Sequence, residues 1–184
     1  MTPSAHDHRL DTPSAWIVRF APLVRQGGTV LDLACGCGRH ARYLAGRGLR
    51  VTAVDHDPEA IASLQGIPNV TAMVADLEHG PWPCSDNRFD AVVVTNYLWR
   101  PLLPHILDAL DPGGVLLYET FAAGNQRFGK PANPDFLLRP GELLEVVRDR
   151  LAVIAFEDVC VQDPRPAMVQ RLCAVGRLHP LSAR

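Results

Sequence analysis

The chain has 184 residues, 47% of them hydrophobic, which suffices for one domain with a sizeable core and leaves no length for a separate substrate domain. A net charge of -2 provides no global drive toward nucleic acid or an anionic membrane. No apolar run approaches the roughly 18 residues of a membrane span, and residues 1–11 lack the hydrophobic segment of a secretory signal, so a cytoplasmic single domain over residues 1–184 with a polar tail is expected.

In chain order, Thr12-Pro13-Ser14 reads as a helix start, with Thr12 as N-cap and Pro13 at the first helical position, and Gly27-Gly28 as the stop. Trp16 and Phe20 share a face of this helix by their four-residue spacing. Residues 30–33 form a buried-strand pattern that runs through Ala34-Cys35-Gly36-Cys37-Gly38 into a helical pattern at 39–45. Gly36 and Gly38 lack a Cβ, so the backbone there turns sharply and approaches a ligand closely; this is the form of a nucleotide-type cofactor site. Asp32, just before the turn, would repel a pyrophosphate and suits a cationic group. A second strand ends at Asp55, where a carboxylate can accept from a ribose diol, and Asp57-Pro58-Glu59 opens the next helix. A third strand at 69–74 leads to Ala75-Asp76-Leu77.

Residues 89–94 and 115–119 are nearly continuous apolar runs, as strands covered on both faces require. Between them, 101–110 has helical spacing and Asp111-Pro112-Gly113-Gly114 reads as a turn. A further helix is expected at 140–150, followed by strands at 151–161 and 168–175 paired as an antiparallel hairpin. Residues 121–139 form a long loop without periodicity, shaped by Gly124, Gly129, Pro131 and Pro134, and read as a lid over an acceptor. The five cysteines, at 35, 37, 84, 160 and 173, form no CxxC pair and leave an odd count, so reduced thiols are expected and no metal site is assigned. The His6-Asp7-His8 cluster receives no function.

The run Asp32-Leu33-Ala34-Cys35-Gly36-Cys37-Gly38-Arg39-His40, with Asp55 and Asp76 after the next two strands, resembles the class I S-adenosylmethionine-dependent methyltransferases, over about residues 16–176. Within that class the chain is similar to the small bacterial tellurite-resistance-type enzymes. The resemblance implies an α/β, Rossmann-like, doubly wound seven-strand sheet, mostly parallel with one antiparallel strand near the C-terminus. It implies S-adenosylmethionine contacts from Trp16, Arg19, Asp32, Ala34, Cys35, Gly36, Gly38, Asp55, His56, Asp76, Leu77 and Asn96. Ala34 stands where the family usually has its first glycine. Tyr97 and Arg100 are acceptor-side candidates, and Glu119 is a candidate base. The implied reaction is methyl transfer to a small acceptor such as a thiol or a metalloid oxyanion, for which Arg100, Arg127, Lys130 and Arg139 would supply positive charge.

Other readings remain. Gly36-Cys37-Gly38-Arg39-His40-Ala41 also matches a dinucleotide-binding pattern, so an NAD(P)-binding oxidoreductase-type protein is the alternative. A basic rim for RNA, with Phe121, Phe128 and Phe136 as stacking platforms, or a non-catalytic cofactor-binding protein are the others.

Overall fold

The computed structural model describes residues 12–85, 87–163 and 165–182, so the His6–His8 cluster and the tail at 1–11 lie outside the described residues. Strands β1 (Thr29–Leu33), β2 (Arg50–Asp55), β3 (Val70–Val74), β4 (Phe89–Thr95), β5 (Leu110–Phe121), β6 (Ala152–Val161) and β7 (Ala167–Val175) form one sheet in the order β3-β2-β1-β4-β5-β7-β6. The first five are parallel to one another, and β7 runs antiparallel to both β5 and β6, the topology expected from the sequence.

Helices α1 (Ala15–Phe20), α2 (Arg39–Gly46) and α3 (Pro58–Ala62) contribute to a core on one face, where Ile17, Leu44 and Ile61 meet Val30, Ala53 and Val93. On the other face α4 (Leu103–Asp108) and α5 (Glu142–Val147) bring Ile106, Leu143 and Val147 against Leu31, Val92 and Leu116. Successive strand residues point to opposite faces, so a parallel strand covered on both sides is apolar throughout. Asp32 breaks that pattern in the middle of the sheet.

Several boundaries differ from expectation. The N-cap of α1 is Ser14, whose hydroxyl accepts from the Trp16 N–H at 3.1 Å, and the helix ends at Phe20 before a 3-10 turn at Ala21–Leu23. Residues 111–114 fall within β5 as an irregularity, because the chain pairs Leu110 with Phe89 and resumes with Val115 opposite Ala91. Helices α4 and α5 are shorter than the apolar spacing suggests, and Arg100–Leu102 before α4 is a 3-10 turn. Among the described residues, no helix is long and apolar enough to cross a membrane.

The chain leaves β1 for β2 on one side and reaches β4 on the other. The carboxyl ends of these strands open a crevice at this switch point, where open α/β sheets place their ligands.

Candidate active site

The turn after β1 is pinned to the sheet by the Cys35 N–H, which donates to the Val54 carbonyl at 3.1 Å, and closed by the Gly38 N–H on the Cys35 carbonyl at 2.9 Å. Ala34, Gly36 and Gly38 all adopt left-handed backbone, with φ of 51°, 53° and 72°. Gly38 is doubly constrained, since a Cβ there would fall 2.4 Å from Leu64 Cδ2. Ala34 occupies a conformation that costs an L-residue roughly 1–2 kcal/mol. Cys35 is buried, its thiol pKa is pushed up by burial and then by Asp32, and its small side chain fits the turn.

Beneath this turn Asp32 is fully buried, and neither carboxylate oxygen has a hydrogen-bond partner among the described residues. Burial raises its pKa to about 7, offset in part by the Ala41 backbone and the Arg39 charge, while Asp55 pushes it further up. An ionised carboxylate in this position requires a cation to complete it. The ammonium at the methionine end of S-adenosylmethionine meets that requirement; a pyrophosphate would aggravate it.

Asp55, at the end of β2, accepts from the Gly36 N–H at 2.8 Å and from the Asp57 N–H at 3.0 Å, one bond to each oxygen. It thus ties the glycine turn to the loop before α3, and Oδ2 retains a lone pair. His56 Nδ1 lies 3.2 Å from Asp55 Oδ1 at the exposed rim. Asp76 Oδ1 receives the Glu78 and His79 N–H groups at 2.9 and 3.0 Å, and these bonds hold its pKa below the usual carboxylate value. A cavity of about 420 Å³ joins Ala34, Asp55, His56, Asp76, Leu77 and Tyr97. Tyr97 therefore shares a cavity with Asp55 and Asp76, and its buried hydroxyl has no partner among the described residues.

A second cavity, about 300 Å³, opens beside Asn96 and is bounded by Ser14, Arg39, Glu119, Arg165 and Arg171. Its far wall is the β6–β7 hairpin, and its near wall is the segment before α1. His40 organises this region and was not singled out by its sequence pattern. It is 1% exposed, its Nε2 accepts from the Ser14 N–H at 3.1 Å, and its Nδ1 lies 3.3 Å from the Thr95 hydroxyl. An Nε2 that accepts leaves the proton on Nδ1, which donates to Thr95. Burial and the adjacent Arg39 lower its pKa to about 3, so the ring is neutral.

Several residues expected at the site have other contacts in the structure. The Trp16 indole N–H donates to the Leu172 carbonyl at 3.2 Å within the core, and the Arg19 guanidinium lies 4.8 Å over the Phe20 ring; neither lines the two cavities. Arg100 grips Glu142 through Nε and Nη2 at 2.7 and 3.0 Å and donates to the carbonyls of Asp135 and Leu137, so it clamps the 121–139 segment instead of facing an acceptor. Glu119 receives Arg171 Nε at 2.5 Å, so its carboxylate is engaged in an ion pair. The expected basic group disperses: Arg139 joins Glu142 at 3.3 Å, Arg127 stacks on Phe128, and neither lines the cavity beside Asn96. Of the expected lid, Phe121 alone reaches that cavity among the described residues.

Residues 30–114 match the family described as methyltransferase domain. The chain is 31% identical to the trans-aconitate 2-methyltransferase of Streptomyces avermitilis over 92% of its own length and 65% of that protein. It shares the fold of TehB from Haemophilus influenzae, with a TM-score of 0.74 and 21% identity over 89% of this chain and 62% of that one. A TehB-like S-adenosylmethionine-dependent methyltransferase from Corynebacterium glutamicum superposes with a TM-score of 0.61 at 25% identity, over 85% and 86% of the two chains. Over residues 30–114 the chain is thus similar to a methyltransferase domain, and its fold is that of the class I S-adenosylmethionine-dependent methyltransferases. Within that class it resembles the TehB group. It spans just under two thirds of the length of the trans-aconitate enzyme.

Proposed function

We propose that this domain transfers the methyl group of S-adenosylmethionine to a small-molecule acceptor held in the cavity beside Asn96. The observation that carries the reading is Asp32, a fully buried carboxylate with both oxygens unpartnered directly below the glycine turn. S-adenosylmethionine, when bound, supplies a methyl group on a positively charged sulfur. Asp32 would hold the ammonium, Asp55 the ribose diol, and Asp76 with the Leu77 N–H the adenine edge. The chain's part in the reaction is alignment and exclusion of water, the main sources of acceleration for an in-line displacement. His40 contributes by fastening the Ser14 segment across the mouth of the acceptor cavity. Trans-aconitate, named for one relative, is an acceptor of the size the reading requires.

Calorimetric titration with S-adenosylmethionine and S-adenosylhomocysteine, with NAD and NADP as controls, tests the reading. Micromolar binding of the adenosyl compounds alone is expected. Binding of the dinucleotides alone would overturn it.

A further inference from the structure

The cavity beside Asn96 is lined by Arg39, Arg165 and Arg171, and its two carboxylates, Glu119 and Asp163, already have partners. Arg39 is half-buried, and its bond to the Thr12 carbonyl is 3.4 Å long. Arg165, on the hairpin turn, makes no ion pair among the described residues; its guanidinium lies 5.9 Å over the Phe121 ring. Arg171 differs from both, being neutralised by Glu119 at 2.5 Å and Glu157 at 3.3 Å.

The potential bases at this cavity are all engaged. Glu119 is held by Arg171, Asp163 already has a partner, and His40 has one nitrogen protonated and the other accepting from Ser14. The Tyr97 hydroxyl belongs to the other cavity. An acceptor that had to lose a proton would have to break into one of these contacts to pass it on among the described residues. An acceptor already ionised at neutral pH breaks none.

Resting on the methyltransferase reading, we propose that the acceptor is a small carboxylic acid, bound through Arg39 and Arg165 and methylated on a carboxylate oxygen. The oxygen forms the new O–CH3 bond with its own lone pair, the electrons of the broken S–CH3 bond stay on sulfur, and no proton moves. The ester product has one negative charge fewer than the acid, which weakens its hold on the two arginines and favours its release.

The test is calorimetric binding of malonate, succinate and citrate to the complex with S-adenosylhomocysteine, alongside tellurite, dithiothreitol, an aliphatic amine and a phenol. At least one carboxylate is expected to bind with an affinity that falls as salt rises. Arg165→Gln should weaken that binding tenfold or more and change the affinity for S-adenosylhomocysteine less than twofold, with partial recovery in Arg165→Lys. For the carboxylate acceptor, methyl transfer at saturating cofactor should be flat from about pH 6 to 9, because no base titrates. Methylation of the amine, phenol, thiol or tellurite with none of any carboxylate would overturn the proposal and leave the methyltransferase reading standing. Unchanged carboxylate binding in Arg165→Gln would do the same. Failure to bind S-adenosylhomocysteine would instead remove both.

Discussion

The Ser14 backbone N–H donates to His40 Nε2 at 3.1 Å, joining the segment before α1 to a side chain on α2 that also reaches the end of β4. The buried ring works in this position only while neutral. With a folded pKa near 3 against an ordinary 6.5, the unfolded chain binds the extra proton between these values. The contribution of His40 is thus fully present above about pH 6.5 and is lost as pH falls toward 3, at up to about 1.4 kcal/mol per pH unit. His40→Gln should remove that acid-side slope in urea unfolding followed from pH 4 to 7, and should cost roughly 1–3 kcal/mol at pH 7 through the strained or missing bonds to Ser14 and Thr95.

Asp32 titrates with the opposite sign. Its folded pKa of about 7 lies above the ordinary 3.8, so its neutral form favours folding below about pH 3.8 and the advantage is lost as pH rises through 7. Asp32→Asn should therefore raise the melting temperature of the free protein at pH 8, by several degrees for a few kcal/mol, with the gain shrinking as pH falls toward 4. The same variant should bind S-adenosylmethionine at least about tenfold more weakly, a loss of about 1.4 kcal/mol or more. A variant that is both less stable at pH 8 and unimpaired in binding would contradict the account.

Ala34 and Gly38 make a matched pair of tests on the glycine turn. Ala34→Gly relieves a left-handed alanine and should stabilise the free protein by about 0.5–1 kcal/mol after the entropy of the added glycine is counted. Gly38→Ala combines positive φ with a Cβ 2.4 Å from Leu64, and should destabilise by about 2–4 kcal/mol. Thermal unfolding of the two variants should move in opposite directions.

Asp55 has duties with and without cofactor, and two substitutions separate them. Asp55→Asn keeps one acceptor oxygen for the turn and should weaken S-adenosylhomocysteine binding about tenfold in calorimetry, with a loss of stability of about 1 kcal/mol. Asp55→Ala strands the Gly36 and Asp57 N–H groups and should lower both affinity and stability further.

Arg100→Ala should reveal a structural residue. Glu142 is 3% exposed and would keep only the contact from Arg139, so a loss of about 2–4 kcal/mol is expected in chemical unfolding. The Michaelis constant for the acceptor should stay within about twofold.

What was legible in the sequence follows from the range of the forces involved. The sheet and the positions of Asp32, Asp55 and Asp76 could be read because apolar runs mark covered strands and an acidic residue at a strand's end interrupts them locally. Ser14 could not be distinguished from Thr12 as the N-cap, since both have the right side chain and the choice is favoured by a bond to His40, 26 residues away. Arg100 looked like an acceptor ligand because Glu142 is 42 residues distant in sequence. The far wall of the cavity beside Asn96 was missed for the same reason: Arg165 and Arg171 join Arg39 in lining it only after the hairpin has folded back beside β5.

Strand β7 is synthesised after β6 yet lies between β6 and β5 in the finished sheet. On a ribosome, β6 emerges with no neighbour to pair with and must wait for residues 167–175 before either strand can join the five already made. The cofactor half, built from the ends of β1 to β4, is available first; the wall carrying Arg165 and Arg171 comes last. A nascent chain thus acquires Asp32, Asp55 and Asp76 before the cavity beside Asn96 has its far wall.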